Sequence, residues 1–207
     1  DVVFLNGWQK ATYNVFEKFP KTGAVCPTPS SKSLRNYTSN IWFDLLFSKS
    51  LQFTKVKNSD ALKAFAYSVG NLEMYNSVHL EKYLTVANAD FKAVVGAGHF
   101  VTTYRKEVFE KSDIKYSSYK LGGDSEAKLL DFPVVEKGMW RLSTEDNFAY
   151  HLGNVAEDWM VKTLQELKQN DFFPLAPINL QKIKASKIGF FIKYKLFSKL
   201  ITRKKIW

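Results

Sequence analysis

The chain is poor in several things, and each shortage closes off an explanation. It has one cysteine in 207 residues, Cys26, so no disulfide can form within it. That usage suits a reducing compartment, and packing alone must hold the fold. No run reaches the roughly 18 apolar residues that a bilayer-spanning helix needs, and the opening stretch is not of signal-peptide type. There is no internal repeat and no low-complexity tract. Acids vanish near the end: from Lys182 to Trp207 there are nine Lys or Arg and no Asp or Glu.

What is present is a core-forming composition. Hydrophobic residues make up 45% and aromatics 15%, which excludes overall disorder. The length suits one domain, or one domain plus an appendage. The formal charge is +10, and removing the nine basic residues of the tail from the total of 30 leaves 21 against 20 acids. The body is therefore close to neutral and the charge belongs to the tail. A nucleic-acid-binding domain spreads basic residues, interleaved with aromatics, through its folded body. This body does not, so no nucleic-acid partner is expected.

Along the chain, "VVFL" reads as a buried strand ending at Asn6-Gly7, and "GWQKATYNVFEKFP" as a helix stopped by Pro20. "GAVCPTPS" reads as a short strand entering a proline-broken loop, and residues 30–40 as polar and exposed. "IWFDLLFSKS" and "SDALKAFAYSVGN" read as helices, the second with Ser59 as N-cap. "FKAVVGAGHFVTTYRKEVFE" reads as strand, glycine turn, strand and helix start. Gly96 and Gly98 there allow a tight turn or the close approach of a ligand. Asp131 reads as the entry cap of a strand-like "FPVV", and "VAEDWMVKTLQELKQN" as an amphipathic helix. Short strands mixed with helices predict an α/β or α+β body over 1–180, with a separate basic tail over 181–207.

Several chemistry-bearing residues follow one another in a suggestive order: Asp1 beside a strand, the Gly96–Gly98 turn, the acids Asp124, Glu126 and Asp131, and His151 in "DNFAYHLGN". His99, Trp140 and Arg141 lie between them. Each has a plain reading as well. The acids suit a solvated turn, His151 a packed core position, Trp140 the core, and Arg141 an ion pair with a nearby acid.

"DVVFLNGWQKATYNVFEKFPKTGAVCP", "GAGHFVTTYRKEVFE", "GGDSEAKLLD" and "AYHLGN", in that order, resemble the catalytic C-terminal half of a GT-A fold, family 2-like glycosyltransferase. The resemblance spans roughly residues 1–160. It implies a partial α/β fold of the GT-A type, a mixed sheet flanked by helices with a C-terminal amphipathic helix. It implies a chain that starts at the last acid of an Asp-x-Asp motif and is inactive alone, a trimmed or processed chain being the alternative.

The implied activity moves a sugar from a nucleotide-sugar donor to a glycan or lipid-linked acceptor, with inversion and a divalent metal, Mn²⁺ or Mg²⁺. Asp1 and His151 are the implied metal ligands. Asp124 and Glu126 are the implied catalytic acids, with the choice of base open because Glu126-Ala127 stands where the family has Glu-Asp. Gly96, Gly98, His99, Trp140 and Arg141 are the implied substrate contacts. The physical logic is compatible: such a transfer needs a carboxylate to take the acceptor's proton, and positive charge on the leaving diphosphate.

The tail, "KIKASKIGFFIKYKLFSKLITRKKIW", puts Phe190, Tyr194, Phe197 and Ile201 on one helical stripe among lysines. That composition predicts peripheral contact of residues 182–207 with an anionic membrane, at its cytoplasmic face. Packing of the same stripe on the body is the alternative. A non-enzymatic membrane-surface or partner-binding domain is the rival to the transferase reading.

Overall fold

The computed structural model describes residues 1–110, 125–153, 155–167, 178 and 180–203. In chain order the elements are β1 (Val2–Phe4), α1 (Trp8–Lys18), β2 (Thr22–Cys26), α2 (Ser39–Asp44), β3 (Leu51–Lys55), α3 (Ser59–Ser68), α4 (Ser77–Glu81), β4 (Lys82–Asn88), β5 (Phe91–Val95), β6 (Thr103–Tyr104), α5 (Phe132–Glu136), β7 (Trp140–Ser143), β8 (Ala149–His151) and α6 (Asp158–Glu166). A terminal helix follows, Lys187–Phe190, then a wide π-type middle over Phe191–Phe197, then Ser198–Arg203.

The fold is α/β, built on a mixed six-stranded sheet in the order β3-β4-β5-β7-β2-β6. Only β2 and β7 run parallel; the other neighbours are antiparallel. The central strands carry small and β-branched residues and are buried on both faces, as strands covered by helices on two sides must be. On one face α1 and α2 bring Val15, Phe16, Phe19 and Ile41 against Val25, Val95 and Leu142. On the other, α3 brings Leu62, Phe65 and Ala66 against Val94 and Tyr83. Met139 and Val134 pack on Ala24 close by. β1 and β8 form a separate two-stranded ribbon, with Val2 opposite His151.

Three local expectations are corrected. The polar stretch at 30–40 is mostly buried, with Ser30, Ser31, Ser33, Thr38 and Asn40 inside. Some of its polar atoms are bonded within the fold: Ser30 Oγ donates to Ser33 Oγ, and Asn40 Nδ2 to the carbonyls of Val135 and Met139. The N-cap of α3 is Asn58, whose side chain accepts from the Ala61 N–H, and Ser59 is the first helical residue. "FPVV" is helix α5, because Pro133 falls in its first turn, where a fixed φ and a missing N–H cost nothing. Asp131 makes no capping bond there.

The tail is helical as expected, but the predicted stripe faces inward. Phe190 and Tyr194 pack on Phe132, Tyr194 also meets Tyr37, and Phe197 meets Phe43. Lys193 bonds Asp44 of α2. Aromatic partners on the body were available for those rings, and burying both sides removes more apolar surface than burying one. Ile201's side chain lies outside the described set. The outward face carries Ile188, Phe191, Ile192, Leu196 and Leu200, all exposed. No helix among the described residues is long and apolar enough to cross a membrane.

Candidate functional site

Successive residues of β7 point to opposite faces of the sheet. Trp140 and Leu142 join the core under α1 and α2. Arg141 faces the other way, into the wall of a cavity of about 460 Å³. Cys26 at the end of β2, the segment after β5 (Ala97 to Phe100) and the loop after β2 complete that wall. Its volume is in the range of small-ligand sites.

The chemistry concentrates on Asp131. Its side chain is 4% exposed, and that of Arg141 is 1%. Arg141 Nη2 lies 2.5 Å from Asp131 Oδ1, a close ion pair without the alignment of a hydrogen bond. Arg141 is held in turn by two carbonyls: Nη1 donates to Asn36 O at 2.9 Å and Nη2 to Ala97 O at 2.6 Å. Burial pulls the guanidinium below its ordinary value, and the Asp131 carboxylate opposes that shift. An isolated buried charge is prohibitive, so each group requires the other. Asp131 Oδ2 lies 2.5 Å from His99 Nε2, and His99 opens onto the cavity. Lys32 adds an ammonium to the lining; desolvation lowers it from the usual lysine value. Phe65, Phe100, Tyr75 and Tyr37 supply ring faces.

Of the expected substrate contacts, Gly98, His99 and Arg141 line this cavity. Gly96 has a packing reason of its own. Its φ is +109°, and a Cβ would sit 2.9 Å from the Ser33 carbonyl oxygen. Trp140 is not in the cavity wall; its indole N–H donates to Asp44 Oδ2 at 2.9 Å on the opposite side of the sheet. Glu126 accepts from Ser125 Oγ, next to the cavity-lining Ala127, while Asp124 lies outside the described residues.

The expected metal ligands are neighbours in the β1–β8 ribbon. Val2 faces His151, and the Leu152 N–H donates to the Asp1 carbonyl at 2.9 Å. Strict strand alternation would send the Asp1 carboxylate and the His151 imidazole to opposite faces. Asp1 precedes the first strand residue and is exposed, so that alternation does not bind it. The His151 ring packs 5.6 Å from Phe100, whose ring meets Phe65 at 5.2 Å, so His151 backs the cavity wall. Among the described residues no three His, Cys, Asp or Glu side chains group as a cation cage.

Asp131 and the buried loop over 30–37 are what sequence reasoning missed. A signal existed for Asp131. In "KLLDFPVV" it is an acid embedded in apolar residues with no turn former beside it, and "MWRLS" holds an arginine in the same kind of setting. Two opposite charges each stranded in an apolar run are candidates for one buried pair.

No family model, no curated protein and no solved structure matches this chain.

Proposed function

We propose that the chain carries the acceptor-side part of a GT-A-type, metal-dependent, inverting glycosyltransferase, acting on a nucleotide-sugar donor and a glycan or lipid-linked acceptor. The observation that supports this reading is the meeting, around one cavity, of ring faces, hydroxyls and the buried Arg141–Asp131–His99 charge cluster. Ring faces and hydroxyls suit a sugar, which presents both C–H surfaces and O–H groups.

One carboxylate and one imidazole are a donor set that Mn²⁺ accepts when phosphate oxygens and water complete the sphere. Held by Asp1 and His151, such an ion would supply the charge that a leaving diphosphate needs. In the same reading the outward lysine-flanked face of the terminal helix rests on an anionic membrane, at its cytoplasmic side, near a lipid-linked acceptor.

The test is calorimetry on the full-length protein with Mn²⁺ and a panel of uridine and guanosine diphosphate sugars, wild type against His151→Ala. Mn²⁺-dependent donor binding that weakens at least tenfold in the variant, with thermal unfolding unchanged, is the expected result. Failure of the wild type to bind any of them under any metal condition would sink the transferase reading. It would favour a non-enzymatic surface domain.

A further inference from the structure

One imidazole of the charge cluster lies at the cavity, that of His99. Its Nε2 lies 2.5 Å from Asp131 Oδ2, so the ring N–H given to that carboxylate is at Nε2 and the lone pair is at Nδ1. No described residue bonds Nδ1. The His99 side chain is 40% exposed against 4% for the carboxylate behind it, and it lines the cavity. The carboxylate cannot swing away, because Arg141 holds its other oxygen and is itself fixed by the Asn36 and Ala97 carbonyls. The order from the interior outward is thus cation, carboxylate, imidazole, cavity. A buried charge fixes the carboxylate, the carboxylate fixes the tautomer, and the tautomer presents a basic nitrogen. His79 is a useful contrast. Its Nδ1 accepts from the Asn76 N–H in the capping box of α4, so that ring is committed to structure.

We propose that His99 is the general base for a hydroxyl nucleophile bound in this cavity, with Asp131 and Arg141 as its positioning residues. This rests on the transferase reading, and it moves the base from Asp124 or Glu126, where the family resemblance puts it, to His99. The nucleophile is a hydroxyl of an acceptor sugar seated among Phe65, Phe100 and Tyr75.

In the step, the hydroxyl proton passes to Nδ1. The freed electron pair on oxygen forms the new bond to the anomeric carbon of the donor. The bond from that carbon to the phosphate oxygen breaks, and its electron pair leaves with the nucleoside diphosphate. The imidazolium is stabilised by Asp131 and returns its proton to solvent through its exposed edge.

The experiment measures nucleoside diphosphate release by the full-length protein with Mn²⁺, the donor panel above, and soluble alkyl glycosides as acceptors. Donor affinity is read separately by calorimetry. For His99→Gln the expected loss in kcat is about 10²- to 10⁴-fold, with donor Kd and thermal unfolding unchanged. Added imidazole should restore part of the rate to His99→Ala, which a merely structural histidine would not allow. Asp131→Asn should lower kcat without raising the acceptor KM.

Three results would overturn the assignment: a His99→Gln enzyme at the wild-type rate, a loss that follows donor affinity alone, or no rescue by imidazole. If Glu126→Gln or Asp124→Asn abolishes turnover while His99→Gln does not, the base fails and the transferase reading survives. If the wild type neither binds nor cleaves any donor, both fall together.

Discussion

Two aspartates lie on opposite sides of the same strand, and their surroundings differ in one respect. Asp44, 9% exposed, receives Lys21 at 3.1 Å, the Trp140 indole N–H at 2.9 Å, and Lys193 of the terminal helix. Asp131, 4% exposed, receives Arg141 and His99. Trp140 and Arg141 are consecutive in β7, so the strand's alternation delivers one donor to each carboxylate. Around Asp44 all three partners serve as donors. They come from the α1–β2 turn, the sheet and the terminal helix, and they tie the three together. Around Asp131 one partner, His99, has a second ring nitrogen and lines a cavity. Similar electrostatics give a fastening in one place and a poised group in the other. The difference lies in whether the partner has a second atom that no described residue bonds, and a cavity beside it.

Breaking the Asp131 side should have the largest effect. Arg141→Met leaves the carboxylate buried without its cation and should cost about 3–5 kcal/mol in a denaturant titration. Adding Asp131→Leu to it should recover much of that loss, since an apolar pair carries no desolvation penalty. If the double variant is no better than the single, the pair is not what Arg141 supports.

Asp44 sharpens the comparison at intermediate size. Asp44→Ala should cost about 1–3 kcal/mol, because the Trp140 N–H loses its partner, and should raise hydrogen exchange specifically in residues 187–200. Burial alone would raise the Asp44 carboxyl, but the Lys193, Trp140 and Lys21 hydrogen bonds outweigh it and hold it below its ordinary value. A depressed carboxyl stabilises the fold above its unfolded value and loses that contribution as pH falls through the lowered folded one. The terminal helix should therefore loosen below about pH 4, and Asp44→Asn should flatten that dependence in pH-resolved hydrogen exchange.

The smallest effect is expected on the outward face of the terminal helix. Leu196→Ser should weaken co-sedimentation with vesicles containing anionic phosphatidylglycerol by about 1 kcal/mol, with melting unchanged. The same substitution on neutral phosphatidylcholine vesicles should do little, because the lysines there have no counter-charge.

How far the sequence carried depended on whether a residue's partner was near in the chain. β1, α1, β2, the β5–glycine–β6 passage and α6 were legible because apolar periodicity and Gly or Pro punctuation are local. "FPVV" was misread because four apolar residues fit either period, and only the position of Pro133 in a first turn decides for helix. The 30–40 loop was misread because polar composition reports exposure only when no partners exist. Here Asn40 reaches carbonyls 95 and 99 residues away. The tail's helix was legible, but its orientation was not. Period alone does not say which of two apolar stripes finds rings to pack on. At the site, Arg141's ion pair was anticipated, and Gly98 and His99, expected as substrate contacts, fall in the cavity wall. Asp131, which joins two of them, was not anticipated, since its meaning lies in residues 10 and 32 positions away.

Cys26 ends β2 in the cavity wall, essentially inaccessible, and burial raises its thiol above the ordinary cysteine value. A thiol in that condition reacts with an alkylating reagent only when the surrounding wall opens. As the sole sulfhydryl of the chain it is a built-in clock. The rate at which it takes up maleimide under native conditions counts the openings of the cavity, and a ligand that fills the cavity should slow that count.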